Sequence, residues 1–133
     1  MDVPFFTDDE VIAFHQTQIS LHGGEPSVRD LGLLSSAVAM PMQMLNGEFV
    51  HTSIFEMAAA YLFHICNDHP FVDGNKCTAI MTALVFLKLN GIQCTLTENQ
   101  VFELTIEVAC GQLTKSDISK SFKNNHKRVI NEN

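Results

Sequence analysis

Apolar positions recur along most of this chain at helical spacing, and polar caps and glycines cut them into segments. Thr7-Asp8-Asp9-Glu10 is a capping box: the Thr7 hydroxyl serves the Glu10 N–H and the Glu10 carboxylate reaches back. Val11, Phe14, His15, Gln18 and Ile19 follow on one helix, with Val11, Phe14 and Ile19 as core contacts, and Gly23-Gly24 ends it. Pro26 keeps the next stretch extended or turned. Asp30 caps a second helix carrying Leu31, Leu34, Ala37 and Val38, interrupted at Pro41, and Arg29 is read as the local salt-bridge partner of that cap. Ser53-Ile54-Phe55-Glu56 is a second capping box, opening a helix on which Ile54, Met57, Ala58, Tyr61, Leu62 and Ile65 recur every three or four residues. Asn75 to Leu89 is apolar nearly all round and is expected to be the central helix, enclosed by the others. Thr97-Glu98-Asn99-Gln100 opens a helix with Val101, Leu104, Thr105, Val108 and Ala109, stopped by Gly111. A last helix starts at Thr114 or Ser116 and runs through Ile118 and Phe122, and the Asn-rich tail beyond Lys123 is expected to fray. The pattern predicts an all-α bundle forming one domain over residues 1–133.

Two stretches break the helical rhythm. Asn46-Gly47, flanked by Met44-Leu45 and Phe49-Val50, is a type I′ hairpin signal. An isolated hairpin is marginally stable, so this one is expected to lean on the helical body. Ile92 to Leu96 alternates briefly, as an extended crossover would.

The candidate chemistry lies in His69-Pro70-Phe71-Val72-Asp73-Gly74-Asn75-Lys76, between two apolar helices. Pro70 prevents smooth continuation of the helix before it, and Phe71 is expected to anchor the loop in the core. His69 carries an imidazole, the side chain that takes up and releases a proton near neutral pH. Asp73 is a hard oxygen ligand of the kind Mg²⁺ takes alongside substrate phosphates. Gly74 has no Cβ and lets the backbone approach a ligand closely. Asn75 and Lys76 open a helix, whose free N–H groups and positive dipole end favour a phosphate. A base, a metal ligand, an anion nest and a cation within eight residues point to transfer chemistry on a nucleotide.

This motif resembles that of the Fic/Doc superfamily. Lys76 followed by Thr78-Ala79, Arg29-Asp30-Leu31-Gly32-Leu33-Leu34 with Ser36-Ala37, Asn67, Phe86-Leu87 and Asn90-Gly91 are similar to its Doc (death-on-curing) branch. The resemblance runs from about His15 to Phe122. It implies a compact helical bundle with a β-hairpin flap, Leu45, Asn46, Gly47, Glu48 and Phe49, that clamps an extended stretch of a target protein. It implies that His69 removes a proton from a target hydroxyl and that Asp73 holds Mg²⁺. Gly74, Asn75, Lys76 and the residue at position 77 would receive the phosphates. Branch members are toxins of toxin–antitoxin pairs that phosphorylate a translation elongation factor with ATP. The implied partner is a small antitoxin whose helix lies near the nucleotide site, acting in trans, because Ser116 to Lys120 carries no inhibitory Ser/Thr-x-x-x-Glu helix.

Cys77 departs from the branch, which has Arg there. A thiol lacks the permanent charge and five-donor fork of a guanidinium, so the activity is expected to be weakened. Fic proteins that transfer a nucleoside monophosphate carry Gly-Arg-x-x-Arg after the Asn; here Lys76, Cys77 and Ile80 stand at those three places. The alternatives to a Doc-type kinase are therefore a Fic-type AMP transferase and a catalytically dead, antitoxin-binding remnant.

Composition narrows the picture further. Hydrophobic residues at 46% and charged ones at 17% describe a globular protein. Fifteen acidic residues against eight basic ones, a net charge of −7, weigh against nucleic-acid binding and a DNA-binding regulator. Lys115, Lys120, Lys123, Lys127 and Arg128 cluster near the end and are read as a solvated helix face. The longest apolar stretch, Ala79 to Leu89, is broken by Thr82 and Lys88 and falls short of the roughly 20 residues a membrane span needs. With no signal peptide visible, the cytoplasm is the expected location. Cys66, Cys77, Cys94 and Cys110 form no Cys-x-x-Cys pair and are read as reduced, small core residues. His15 and His22 are read as packing or surface residues, and His64 lies five residues before His69, too far to share a helix face with it.

Overall fold

The structure is a computed structural model that describes residues 3–129. Six helices, α1 (Asp8–His22), α2 (Leu31–Ala39), α3 (Ile54–Asp68), α4 (Asn75–Leu89), α5 (Glu98–Ala109) and α6 (Lys115–Asn124), form an all-α body. Two short antiparallel ribbons attach to it: β1 (Met44–Leu45) with β2 (Glu48–Phe49), and β3 (Ile92–Cys94) with β4 (His126–Arg128).

The caps explain where the helices begin. Thr7 with Glu10, Thr97 with Gln100 and Thr114 with Asp117 each form the reciprocal capping box. The Ser53 box is only half made. Ser53 accepts from the Glu56 N–H, but the Glu56 carboxylate turns to the backbone N–H and hydroxyl of Thr52, at 2.8 and 2.7 Å. The Thr52 hydroxyl is the main reason the Glu56 carboxyl lies below its ordinary range, though burial opposes it. Glu56 thus satisfies two donors on the residue before the N-cap.

The central element is α3, where α4 was expected. Met57 to Leu62, Ile65 and Cys66 are all buried in α3, which packs on α2, α4, α5 and α6. Its Ala58-Ala59-Ala60 run is fully buried and lets neighbours approach closely. Helix α4 lies beside it, burying Ala79, Ala83, Phe86 and Leu87 while Leu89 stands 55% exposed. Of the expected α1 core contacts, Val11 is fully buried, whereas Phe14 and Ile19 are half-buried.

Asn46 and Gly47 both have positive φ, 54° and 80°, as a type I′ turn demands. Its pairing, Met44 to Phe49 and Leu45 to Glu48, is that of a two-residue hairpin. The hairpin leans on the body through one aromatic column: Phe49 packs edge-on against Phe5 at 5.5 Å, and Phe5 stacks on Phe86 at 5.9 Å.

The tail does not fray at Lys123. His126 to Arg128 pair with Ile92 to Cys94, the Thr95 N–H donates to the Asn125 carbonyl at 2.7 Å, and the Val129 N–H donates to that of Gly91 at 2.8 Å. All four cysteines are free thiols; only Cys66 is buried, while Cys77 and Cys110 are exposed. Lys120, Lys123, Lys127 and Arg128 are exposed, but Lys115 is half-buried. Among the described residues, no helix is long and apolar enough to cross a membrane.

The Lys115 ammonium sits between two imidazoles, donating to Nε2 of His64 at 3.0 Å and of His51 at 3.3 Å, 5.8 Å from the centre of the Phe63 ring. Burial, then the Lys115 charge, then His51 push the His64 imidazole down to about 4. The unfolded chain takes up a proton on this ring near pH ~6.5, which the folded chain resists. The unfolded state thus binds more protons between those values, and stability falls as the pH drops through that window. His64→Gln keeps an acceptor for Lys115 but does not titrate. It should lose less melting temperature than the parent between about pH 7.5 and about pH 5; equal losses would place the acid sensitivity elsewhere.

Candidate active site

Helix α3 ends on His69, which caps it in the left-handed region at φ 49° and ψ 55°. That turn throws the chain sideways into the loop 70–74, which hydrogen bonds from the segment after α1 then hold. The Arg29 guanidinium donates to the carbonyls of His69 (Nε, 2.6 Å) and Asp68 (Nη2, 3.0 Å). The N–H groups of Arg29 and Asp30 donate to the Pro70 carbonyl at 2.7 and 3.1 Å, and the Val72 N–H donates to the Ser27 carbonyl at 3.1 Å. Asp30 caps α2 as expected, accepting from the Leu33 N–H. Arg29, expected in a local salt bridge with Asp30, instead neutralises the carbonyl end of α3. Arg29→Met should lower the unfolding free energy by about 1–2 kcal/mol. Urea melts read this directly, and an unchanged midpoint would show the fork to be idle.

Phe71 anchors the loop, 1% exposed. Its own N–H and carbonyl are clamped by the Asn75 side-chain amide, Oδ1 accepting and Nδ2 donating, both at 2.9 Å. The side-chain amide of Asn75 therefore closes the loop, while its backbone N–H lies in the first turn of α4.

The remaining groups are open to solvent to different extents. His69, Asp73, Lys76 and Cys77 are exposed, and Gly74 and Asn75 are half-buried. Gly74, at φ 79°, is the N-cap of α4 and supplies no capping side chain. The first-turn N–H groups of α4 are thus left for an anion, with the positive end of the helix behind them. One Asp73 oxygen, Oδ2, accepts from the Glu25 N–H at 2.8 Å, which steadies the carboxylate and leaves Oδ1 outside that bond. This donor set fits Mg²⁺, which takes one or two protein carboxylates and completes its shell with phosphate oxygens and water. Asp68, next to His69, has its carboxyl raised by burial, with the His69 ring acting against that.

Beside the N-terminal end of α4 lies an apolar cleft of about 210 Å³ between α4 and α5, lined by Lys76, Cys77, Ile80, Val101, Phe102 and Ile106. Phe102 there is 66% exposed. In the hairpin, Leu45, Asn46, Gly47 and Glu48 are exposed and Phe49 is half-buried.

Sequence reasoning named His15, Gly24 and Arg29 but not their part in shaping the loop. His15 is 1% exposed and bonded to the Asp73 carbonyl. Gly24, read only as part of a helix stop, has φ 118°, and a Cβ there would come within 3.1 Å of the Asp73 Cβ. For Gly24 the available signal was the pair Gly23-Gly24, which is more than a helix stop requires.

Residues 5–87 match the Fic/DOC family, which covers the α1-to-α4 body and the whole motif. The chain belongs to the Fic/DOC family. It is 32% identical over 115 residues to the protein kinase doc of Escherichia phage P1, covering 86% of this chain and 90% of that protein. It is also 45% identical over 71 residues to the toxin Doc of Mycolicibacterium smegmatis, covering 53% of this chain and 55% of that one. These similarities place it in the Doc branch of the family.

Proposed function

We propose that this chain is the toxin of a toxin–antitoxin pair, transferring the γ-phosphoryl group of ATP to a serine or threonine hydroxyl of a cytoplasmic protein of the translation elongation factor class. The observation that carries this reading is an exposed, left-handed His69 beside an uncapped helix N-terminus that also presents Asp73 and Lys76. The names of its two relatives, a kinase and a toxin, support it.

In this reading His69 accepts the proton of the target hydroxyl as that oxygen attacks the γ-phosphorus, the bond from that phosphorus to the bridging oxygen breaks, and ADP leaves. Lys76 and the first-turn N–H groups of α4 receive phosphate oxygens, and Gly74 lets the backbone come close enough to do so. Asp73 would hold Mg²⁺, which supplies charge neutralisation between phosphates when bound. The protein's contribution is positioning and fixed charge, as phosphoryl transfer requires. The hairpin presents main-chain edges on which an extended target segment pairs with little demand on its sequence. Cys77 stands exposed in the first turn of α4 and adds no charge there, which favours a weakened enzyme. The cleft between α4 and α5 suits the apolar face of an antitoxin helix, which would cover Lys76 and Cys77 as it seats.

The test is a bacterial translation extract given ATP labelled at the γ- or the α-phosphate. Protein labelled from the γ position alone is the expected result. Labelling from the α position would replace the reading with nucleotidyl transfer. Labelling of nothing, by this chain or by its Cys77→Arg form, would leave a binding module.

A further inference from the structure

We infer that His15, on α1, is a positioning residue that fixes which way the Asp73–Gly74 peptide faces, and so keeps the Gly74 N–H turned toward the anion. The inference rests on the phosphate-binding role proposed above for this corner of the molecule. His15 lies 58 residues before Asp73, yet its Nε2 is 2.7 Å from the Asp73 carbonyl oxygen. A carbonyl offers only lone pairs, so Nε2 carries the hydrogen and donates. The ring also lies flat on Phe71, with centroids 3.7 Å apart and planes 5° from parallel. A Cβ at Gly74 would meet its Cδ2 at 3.5 Å and its Nε2 at 3.6 Å. One buried side chain thus touches Phe71 and Asp73 and lies where a side chain at position 74 would come.

The peptide between Asp73 and Gly74 is trans, as are all the described peptides, so its carbonyl and N–H point in opposite directions. With the carbonyl held inward on His15, the Gly74 N–H faces away from the core. This orientation needs holding because the following residue is a glycine at φ 79°, which tolerates either sign of φ. A turned-over peptide is therefore within reach of the chain, and it would present a carbonyl oxygen, which repels phosphate, where the N–H attracts it. Gly24, packed on the Asp73 side chain, and the Glu25 N–H on its Oδ2 restrain the carboxylate but leave the Asp73–Gly74 peptide free to turn. His15 is the group that bonds the peptide itself.

Two substitutions separate the bond from the packing. His15→Phe keeps an aromatic ring to stack on Phe71 and removes the donor. His15→Gln gives up the ring and keeps an N–H at similar reach. Binding of ATP with Mg²⁺ is measured by calorimetry, and the Gly74 backbone amide signal is followed by ¹⁵N NMR in the nucleotide-free proteins. His15→Phe should keep the fold, shift the Gly74 amide and weaken binding about tenfold, and His15→Gln should recover most of both. Unaltered Gly74 amide and affinity in His15→Phe would overturn the inference. So would a His15→Gln protein as impaired as His15→Phe, since packing would then be the whole role. Should the parent chain bind no nucleotide, the proposed function fails on that result, and the Gly74 signal still decides the role of His15.

Discussion

His69→Ala should reduce phosphoryl transfer by about 10²–10⁴-fold, the range that a positioned general base contributes. The same substitution should leave stability nearly unchanged. His69 is exposed and no other element packs around it as a core residue, so the loss of its ring opens no cavity. Its backbone stands at φ 49°, a region that costs an ordinary residue about 1–3 kcal/mol and that asparagine tolerates better. His69→Asn should therefore melt at or above the parent temperature while being as inactive as the alanine form. Under the proposed function, that strain is retained for the chemistry of the imidazole. Single-turnover transfer from labelled ATP, with thermal melts in parallel, reads both halves. An alanine form keeping more than about a tenth of the parent rate would remove His69 from the mechanism.

Cys77→Arg should tighten nucleotide binding and raise transfer by about 10- to 150-fold, the equivalent of roughly 1.5–3 kcal/mol for a charge-assisted phosphate contact. Cys77 is the third residue of α4, exposed in the turn whose N–H groups lack a capping side chain. A guanidinium there would add a permanent charge and a planar fork beside Lys76. The substitution carries a small opposing effect, because a cation at a helix N-terminus is unfavourable by about 0.3–1 kcal/mol. The arginine form should accordingly melt slightly lower without nucleotide and higher with it. Cys77→Lys should recover only part of the gain, because an ammonium lacks the bidentate geometry. Equal affinity in the cysteine and arginine forms would show that position 77 does not reach the phosphates.

What the sequence made legible was local. Two reciprocal caps, at Thr7 and Thr97, the Asn46-Gly47 turn and the motif loop are each decided within a few residues, and the structure has them where the pattern put them. What it concealed was pairing over distance. Asn75 to Leu89 looked central because nearly every position is apolar, but apolar character does not say which neighbours cover a helix, and α3 lies between more of them. The tail looked frayed because its residues are polar; its described part, up to Val129, is paired because Ile92 meets Arg128, which only the fold brings together. At the site, His69, Asp73, Gly74 and Lys76 were readable as chemistry from residue type and spacing. Arg29 and His15 were not, since each acts through a backbone carbonyl and nothing in either residue's own surroundings announces that carbonyl. The Asn75 side chain was likewise not placed: its bond to Phe71, four residues away, is as local as a cap, but it belongs to the loop.

The most direct test of the central claim is the intact mass of the modified protein, taken from a translation extract incubated with ATP and this chain, with the His69→Ala form as blank. The expected result is a single protein heavier by one phosphoryl group, with fragmentation placing the increment on a serine or threonine, present with the parent chain and strengthened with Cys77→Arg. An increment of one adenosine monophosphate, or the same phosphoryl increment with the His69→Ala blank, would contradict it.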